Sequence, residues 1–478
     1  MLSKLQILVG ALLLAGASME ASGENIIPDI GDTANIAITP AEESRLGKII
    51  LAQIRGSLKI SDDLEANEYV RTAGIRLLNG IPSNQKDFTF LILDNPRLNA
   101  FATPGGVIVL NAGLILNADN ESELLGVMSH EIAHVVQRHM ARIYAASKGS
   151  YLTTAITILG SILAGIYSSD AGKALSTFGQ AAQVDKALSF SRLHEKEADR
   201  IGMNILVSSN YDPNGIPSFL KKINKIGGQN KNAVFEWLMT HPLTLSRISD
   251  TENRARQYKG NFVHNSWKFN YMKARLLALK TNPNEYIKRF DKLTSFNKVP
   301  SNADLYGYAV AQLQVNNPDK ALEILNKIKS RPTVKTYVEL TRADAYVQKQ
   351  LYSEAISILE KLDRIYPKTE VILYYLCSAY MASGSSEKSF EKLQNIYQRG
   401  IYHPKLLKLF AEVSRKSNKK SQSYEAMSDF YALRGEYGAS LDQLRLAKAH
   451  VKVNSTKYAR ILEKMNDIRL LQEVIVLR

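Results

Sequence analysis

The stretch His130-Glu131-Ile132-Ala133-His134 has the residue types and the spacing for metal chemistry. Residues i and i+4 of an α-helix share a face, so the two imidazoles can reach one metal ion. Glu131 stands beside them and can address a water bound to that ion. Two neutral nitrogen ligands with a carboxylate base alongside are what metal-assisted hydrolysis of a peptide bond needs. The alternative is a pair of histidines packed in a core.

A helix must carry the pair, and its surroundings read as one. Asp119 and Asn120 offer N-caps, and Glu121 and Glu123 suit a first turn. Leu125, Met128, Ile132, Val135, Val136 and Ile143 form an apolar stripe at helical spacing. The pattern predicts one helix from Glu121 to Ser147. His139, five residues beyond His134, then points away from the metal face at about 100° per residue and reads as structural.

A catalytic zinc takes a third protein ligand and keeps one position for water. The segment His194-Glu195-Lys196-Glu197-Ala198-Asp199-Arg200-Ile201-Gly202 reads as a second helix, running on through Met203, Leu206 and Val207. Glu195 and Asp199 are four apart and share a face. One can bind zinc while the other orients a ligating histidine. A charged run of this kind is also what a solvated helix face looks like. Upstream, Val107-Ile108-Val109-Leu110 follows a Pro-Gly-Gly turn and is β-branched, which predicts a strand. An edge strand beside the site can pair with an extended peptide through its backbone. An ordinary hairpin is the alternative.

Together these segments resemble the gluzincin metalloproteases of the HtpX and CAAX-prenyl-protease type. The H-E-x-x-H at His130 is followed by E-x-E-A-D-x-x-G from Glu195 to Gly202, the form found in soluble members. Asn99-Ala100-Phe101-Ala102-Thr103-Pro104-Gly105-Gly106 resembles their N-A-F-A-x-P-G-G strand and turn. Thr240-His241-Pro242 with Arg247 resembles their T-H-P-x-x-x-x-R segment. The likeness runs from about Ile38 to Tyr258. It implies that His130, His134 and Glu195 hold one zinc ion per chain, that Glu131 is the catalytic base, and that Asp199 orients a ligand from behind. It also implies that Asn99, Ala100 and Phe101 belong to a substrate-pairing strand. A lone histidine before proline is more often a cap or a surface residue, but the resemblance implies that His241 can take the fourth zinc position and keep the enzyme latent. Arg247 is then a candidate for steadying the oxyanion or the loop.

The chain opens with Met-Leu-Ser-Lys, and Leu5 to Ala17 is almost wholly apolar, with small residues after it. That is the pattern of a secretory signal peptide over residues 1–23. Cys377 is the one cysteine, so no internal disulfide is expected, and its aromatic neighbours suggest a buried helix position. The stretch Leu152 to Tyr167 is too short and too polar for a transmembrane helix. It reads either as an interfacial segment near the site, open to unfolded clients or to peripheral membrane contact, or as a helix packed on the core.

Charge divides the chain. Residues 1–258 carry 24 Lys and Arg against 25 Asp and Glu; residues 259–478 carry 37 against 21. The positive excess therefore belongs to the second half and points to an acidic partner or surface. An export signal and the lack of a nucleic-acid motif argue against nucleic acid. The same half repeats: Ala321, Ala355 and Ser389 are spaced by 34, as are Leu325, Leu359 and Leu393. That period, with small residues at helix contacts, is the tetratricopeptide signature. A later unit from Tyr424 to Ala449, with Tyr437, Ser440 and Leu444 in matching roles, falls half a repeat out of phase, so the array is expected to be irregular past about Gly400.

The expected fold is mainly α: a helical gluzincin-type domain with a small β-sheet over residues 24–258, then an α-solenoid of repeats over residues 259–478. An exported zinc protease joined to such repeats resembles the quality-control endopeptidases of the Gram-negative periplasm. The resemblance implies unfolded or stalled outer-membrane proteins as clients, and repeats that dock on these or on the barrel-assembly machinery. The competing reading is a non-proteolytic chaperone or scaffold with a latent metal site; an intact Glu131 argues against it.

Overall fold

The computed structural model describes residues 38–81, 87–146, 192–229, 237–238, 240–295, 299–329, 332–400 and 403–476. The expected signal peptide and the apolar stretch 152–167 lie outside these residues. Helix α1 (Pro40–Ser57) starts at a capping box, in which Thr39 accepts from the Glu42 N–H and Glu42 accepts from the Thr39 N–H. Helix α2 (Leu64–Leu77) is capped by Asp63. Three strands follow, β1 (Thr89–Leu93), β2 (Ala100–Thr103) and β3 (Val107–Asn111), in the order β1-β3-β2. β3 runs parallel to β1 and antiparallel to β2.

The period of two along the strands builds two faces. Phe90, Ile92, Ala100, Ile108 and Leu110 join a core shared with α2. Leu91, Leu93, Phe101, Val107 and Val109 pack against α1. β3 is covered on both faces and paired on both sides, so the run Val107–Leu110 is the central strand. Its backbone is spent on two neighbours, and β1 and β2 are the edges of the sheet.

Helices α3 (Ala112–Asn117) and α4 (Glu121–Val136) come next. Asn120 caps α4 by accepting from the Glu123 N–H at 2.9 Å, and Glu123 accepts from the Asp119 N–H at 2.9 Å. The single helix expected over 121–147 is in fact two. Arg138 adopts a left-handed φ of 51°, and α5 (His139–Ala146) starts on a new axis. Such a backbone costs a non-glycine residue about 1–2 kcal/mol. Tertiary contacts hold it: Arg138 donates from Nε to Glu43 at 2.9 Å and from Nη2 to the Ile38 carbonyl at 2.7 Å. The first core also takes in α6 (Arg192–Ser208), α7 (Gly215–Gln229) and α8 (Leu245–Ala255).

The rest is helical: α9 (Trp267–Lys280), α10 (Pro283–Ser295), α11 (Asn302–Gln314), α12 (Pro318–Lys327), α13 (Pro332–Gln348), α14 (Tyr352–Ile365), α15 (Glu370–Ala382), α16 (Ser386–Tyr397), α17 (Pro404–Lys416), α18 (Lys420–Leu433), α19 (Tyr437–Ala449) and α20 (Thr456–Val476). The small residues at the 34-residue spacing, Ala321, Ala355 and Ser389, have no exposed surface. The turns keep the same period: Asn316, Gln350, Gly384 and Asn418 all have positive φ. The phase also survives past Gly400, against expectation. Ser423, 34 residues after Ser389, is buried like it, and both donate to a carbonyl twelve residues back, that of Ala411 and of Cys377. Ser440 makes the same bond to Ser428, one helix later, which explains the apparent half-repeat shift. Cys377 is buried, and burial pushes its thiol up to about 12, as fits a packing residue.

Candidate metal centre

Three helices and one loop bring the site together. α4 supplies His130, Glu131 and His134; α6 crosses it and supplies Glu195 and Asp199; the segment entering α8 supplies His241, and α8 itself supplies Arg247. His134 Nε2 lies 3.0 Å from His130 Nε2. The carboxylate of Glu195 stands 3.3 Å from His134 Nε2 and 3.5 Å from His130 Nε2. His241 Nδ1 lies 3.2 Å from Glu195 Oε1 and 3.4 Å from His130 Nε2. One ligand atom from each of His130, His134, Glu195 and His241 falls within 4.8 Å of the others, and all four residues are buried. Three imidazole nitrogens and a carboxylate oxygen brought this close together are donors that fit a divalent metal ion such as zinc.

Charge supports the same fit. Burial disfavours a proton on either histidine of α4. At His130, hydrogen bonds to Asp199 and Glu195 overcome burial and lift its pKa to about 9. At His134 burial wins and holds it down to about 3. Burial also pushes at the Glu195 carboxyl, but His241, Arg247 and the two histidines of α4 hold it well below the usual carboxylate range. Glu131 is raised, first by burial, although His241 and His130 pull the other way. A raised carboxylate is a better proton acceptor near neutral pH. Glu131 also accepts from the Ala102 N–H, which ties it to β2, and its Oε1 lies 3.3 Å from His241 Nε2.

Asp199 lies behind the donors, its Oδ1 3.0 Å from His130 Nδ1. Arg247 is buried and spends its donors on the site's own supports: Nε and Nη2 on Asp199, both at 2.8 Å, and Nη1 on the Pro242 carbonyl at 3.0 Å and on Glu195 at 2.6 Å. Ala100 and Phe101 form the buried start of β2, buried Asn99 precedes it, and Ala102 is the strand's partly exposed residue.

Two residues here were not singled out as contributors to the site. Trp237 stacks on His241 with centroids 4.4 Å apart, and its carbonyl accepts from the His241 N–H at 2.8 Å. Its spacing of one helical turn from His241 was the available signal. His139, expected to point away, places Nδ1 2.8 Å from His134 Nδ1. The break at Arg138 turns it back, where a continuous helix would have carried it round.

The family model for Peptidase family M48 matches residues 65–255, a span that contains every donor above. Fold and site thus define a metalloprotease joined to a helical-repeat array. The chain is 31% identical over 460 residues to the β-barrel assembly-enhancing protease of Escherichia coli (strain K12), covering 95% of this chain and 93% of that one. It is 30% identical over 477 residues to the protein of that name from Yersinia pestis, covering 98% of each. A shorter match, 34% over 152 residues, joins 32% of this chain to 28% of the mitochondrial metalloendopeptidase OMA1 of Arabidopsis thaliana. The chain belongs to the family of β-barrel assembly-enhancing proteases.

Proposed function

We propose that this chain is a zinc endopeptidase of the Gram-negative periplasm that acts on outer-membrane proteins during their assembly and degrades those that stall. The observation that carries the chemistry is the convergence of His130, His134 and Glu195 with Glu131 alongside. His130, His134 and Glu195 would hold a zinc ion, which would supply Lewis-acid activation of a water and of the scissile carbonyl. Glu131 takes the proton from the water and later delivers it to the leaving amine. Asp199 keeps His130 oriented, and Arg247 keeps Asp199 and Glu195 in place. An extended substrate pairs along β2, the strand that Glu131 already touches at Ala102. The repeats hold the client or the barrel-assembly machinery near the site, with the basic excess of residues 259–478 favouring acidic surfaces.

His241 makes the resting site latent. Its Nδ1 stands among the donors where a water would have to bind. The deciding experiment is cleavage of casein and of an outer-membrane client by the wild type and by Glu131→Gln. The wild type should cut, stop with a chelator and recover with zinc, while Glu131→Gln should be slower by about 10²–10⁴-fold. Equal cleavage by the two proteins would overturn the reading.

A further inference from the structure

Each histidine of α4 is held from behind, but by different means. His130 turns Nδ1 to Asp199, and Asp199 is gripped by Arg247. His134 turns Nδ1 to Nδ1 of His139 at 2.8 Å. His139 Nε2 lies 3.3 Å from Glu197 Oε2, and Arg142 Nη1 reaches the same oxygen at 3.0 Å. Both arms end in a carboxylate paired with an arginine. The second carries an additional imidazole.

The tautomers follow from the contacts. For His134 to present Nε2 to a cation, its proton sits on Nδ1, and that N–H donates to Nδ1 of His139. An accepting Nδ1 leaves the proton of His139 on Nε2, facing Glu197. The donors therefore run one way, from His134 through His139 to Glu197. The His139 ring has little freedom to turn. It is wholly buried, stacked on His194 at 4.5 Å and set edge-on to His134 at 4.8 Å.

We propose that His139, backed by Glu197, is a positioning residue that fixes the tautomer and ring orientation of His134 for metal binding. The proposal rests on the zinc reading of the site. If His139 merely filled space, another ring of similar size would serve as well. The left-handed turn at Arg138 is the local device that delivers it, since that turn places the residue after it back against His134.

The test measures zinc affinity of the full chain by competition with a chromophoric chelator, so no protease assay is needed. His139→Phe keeps a ring and removes the acceptor, and affinity should fall about 10–100-fold while the helical circular-dichroism signal is kept. Glu197, 27% exposed, can be changed with less risk to the fold. Glu197→Ala should cost several-fold, and Glu197→Gln, which keeps an acceptor oxygen, should recover most of it. The double variant His139→Phe/Glu197→Ala should bind zinc no more weakly than His139→Phe alone, because Glu197 acts through His139. Wild-type affinity in His139→Phe, or additive losses in the double variant, overturns the proposal. If His139→Phe does not fold, the Glu197 pair decides, and equal affinity of its Ala and Gln forms overturns it. A wild type that binds no zinc overturns the zinc assignment instead.

Discussion

Arg247 meets three demands with one planar group: it grips Asp199 through two nitrogens, reaches Glu195, and holds the carbonyl of Pro242 next to His241. A lysine keeps the charge but is a point donor that cannot span those three acceptors. Arg247→Lys should therefore lower unfolding stability by about 1–3 kcal/mol, read by urea unfolding, and weaken zinc binding along with it. His241 makes the opposite case. It sits among the donors with Trp237 stacked behind it, and in the proposed function it holds the place a water would take. His241→Ala should cleave a model substrate several-fold faster than wild type, and an unchanged or lower rate would count against the latent state. Trp237→Ala should shift the rate the same way but less, since it loosens His241 without removing it.

Between elements, the metal centre depends on how closely α6 crosses α4. A Cβ on Gly202 would lie 3.0 Å from the His130 backbone, tighter than ordinary contact. Gly202→Ala should push the helices apart, costing about 1–3 kcal/mol of stability and moving Glu195 off the two histidines, so zinc affinity measured by chelator competition should drop as well. The N-cap of α17 gives a second prediction. His403 is buried and its Nδ1 accepts from the Lys405 N–H at 3.2 Å, which a protonated ring cannot do. Burial, helped by Lys405, holds its pKa down to about 4 from 6.5. The unfolded chain thus takes the proton first. The contribution of His403 is complete above about pH 6.5, declines as pH falls toward 4 and is constant below, a total of up to about 3 kcal/mol. His403→Asn keeps the cap, and its stability relative to wild type should rise as pH falls from 7 to 4.5. These elements show what could be read from the residues alone. α4 and α6 were legible because caps and apolar spacing are local signals, and the 34-residue period was legible because small buried residues mark it. The break after α4 was not, since no rule of composition gives an arginine a positive φ; Glu43, 95 residues away in sequence, holds it there. The misreading of His139 followed directly. The central place of β3 was hidden likewise, because its parallel pairing with β1 depends on contacts outside the Pro-Gly-Gly turn.

The repeat array and the metal-bearing core are not independent bodies in this fold. α9 gives Phe269, Met272 and Leu276 to the first core and Tyr271 and Ala278 to the next, although it follows the expected boundary at residue 258. Farther along, Ala52 of α1 packs with Tyr437 and Leu441 of α19, and Gly435, at φ 74°, passes so close that a Cβ would lie 2.6 Å from the Ala52 carbonyl. Between these contacts lies a buried ionic cluster. Arg275 of α9 pairs with Asp63 at 2.8 Å and Glu65 at 3.0 Å, and Glu65 accepts from Tyr306 of α11 at 2.9 Å and Tyr375 of α15 at 3.0 Å. One carboxylate thus joins α2 to three helices up to 310 residues distant, a join that no local pattern announces. Burial raises the carboxyl of Glu65 despite Arg275, whereas at Asp63 the arginine outweighs burial and holds the carboxyl low. Removing the arginine leaves two buried carboxylates without a cation, which typically costs about 3–5 kcal/mol. Without Arg275, burial at both carboxyls loses its main opposing charge, so their pKa values should rise and the penalty should ease as pH falls. Arg275→Ala should accordingly be least stable relative to wild type at pH 7 and recover part of the difference at pH 5, as read by urea midpoints. Because the cluster lies apart from the donors of α4 and α6, Arg275→Ala should bind zinc with near wild-type affinity while limited proteolysis cuts more readily between α8 and α9. An equal loss at both pH values, or an unchanged digest, would show that the cluster does not hold the array to the core.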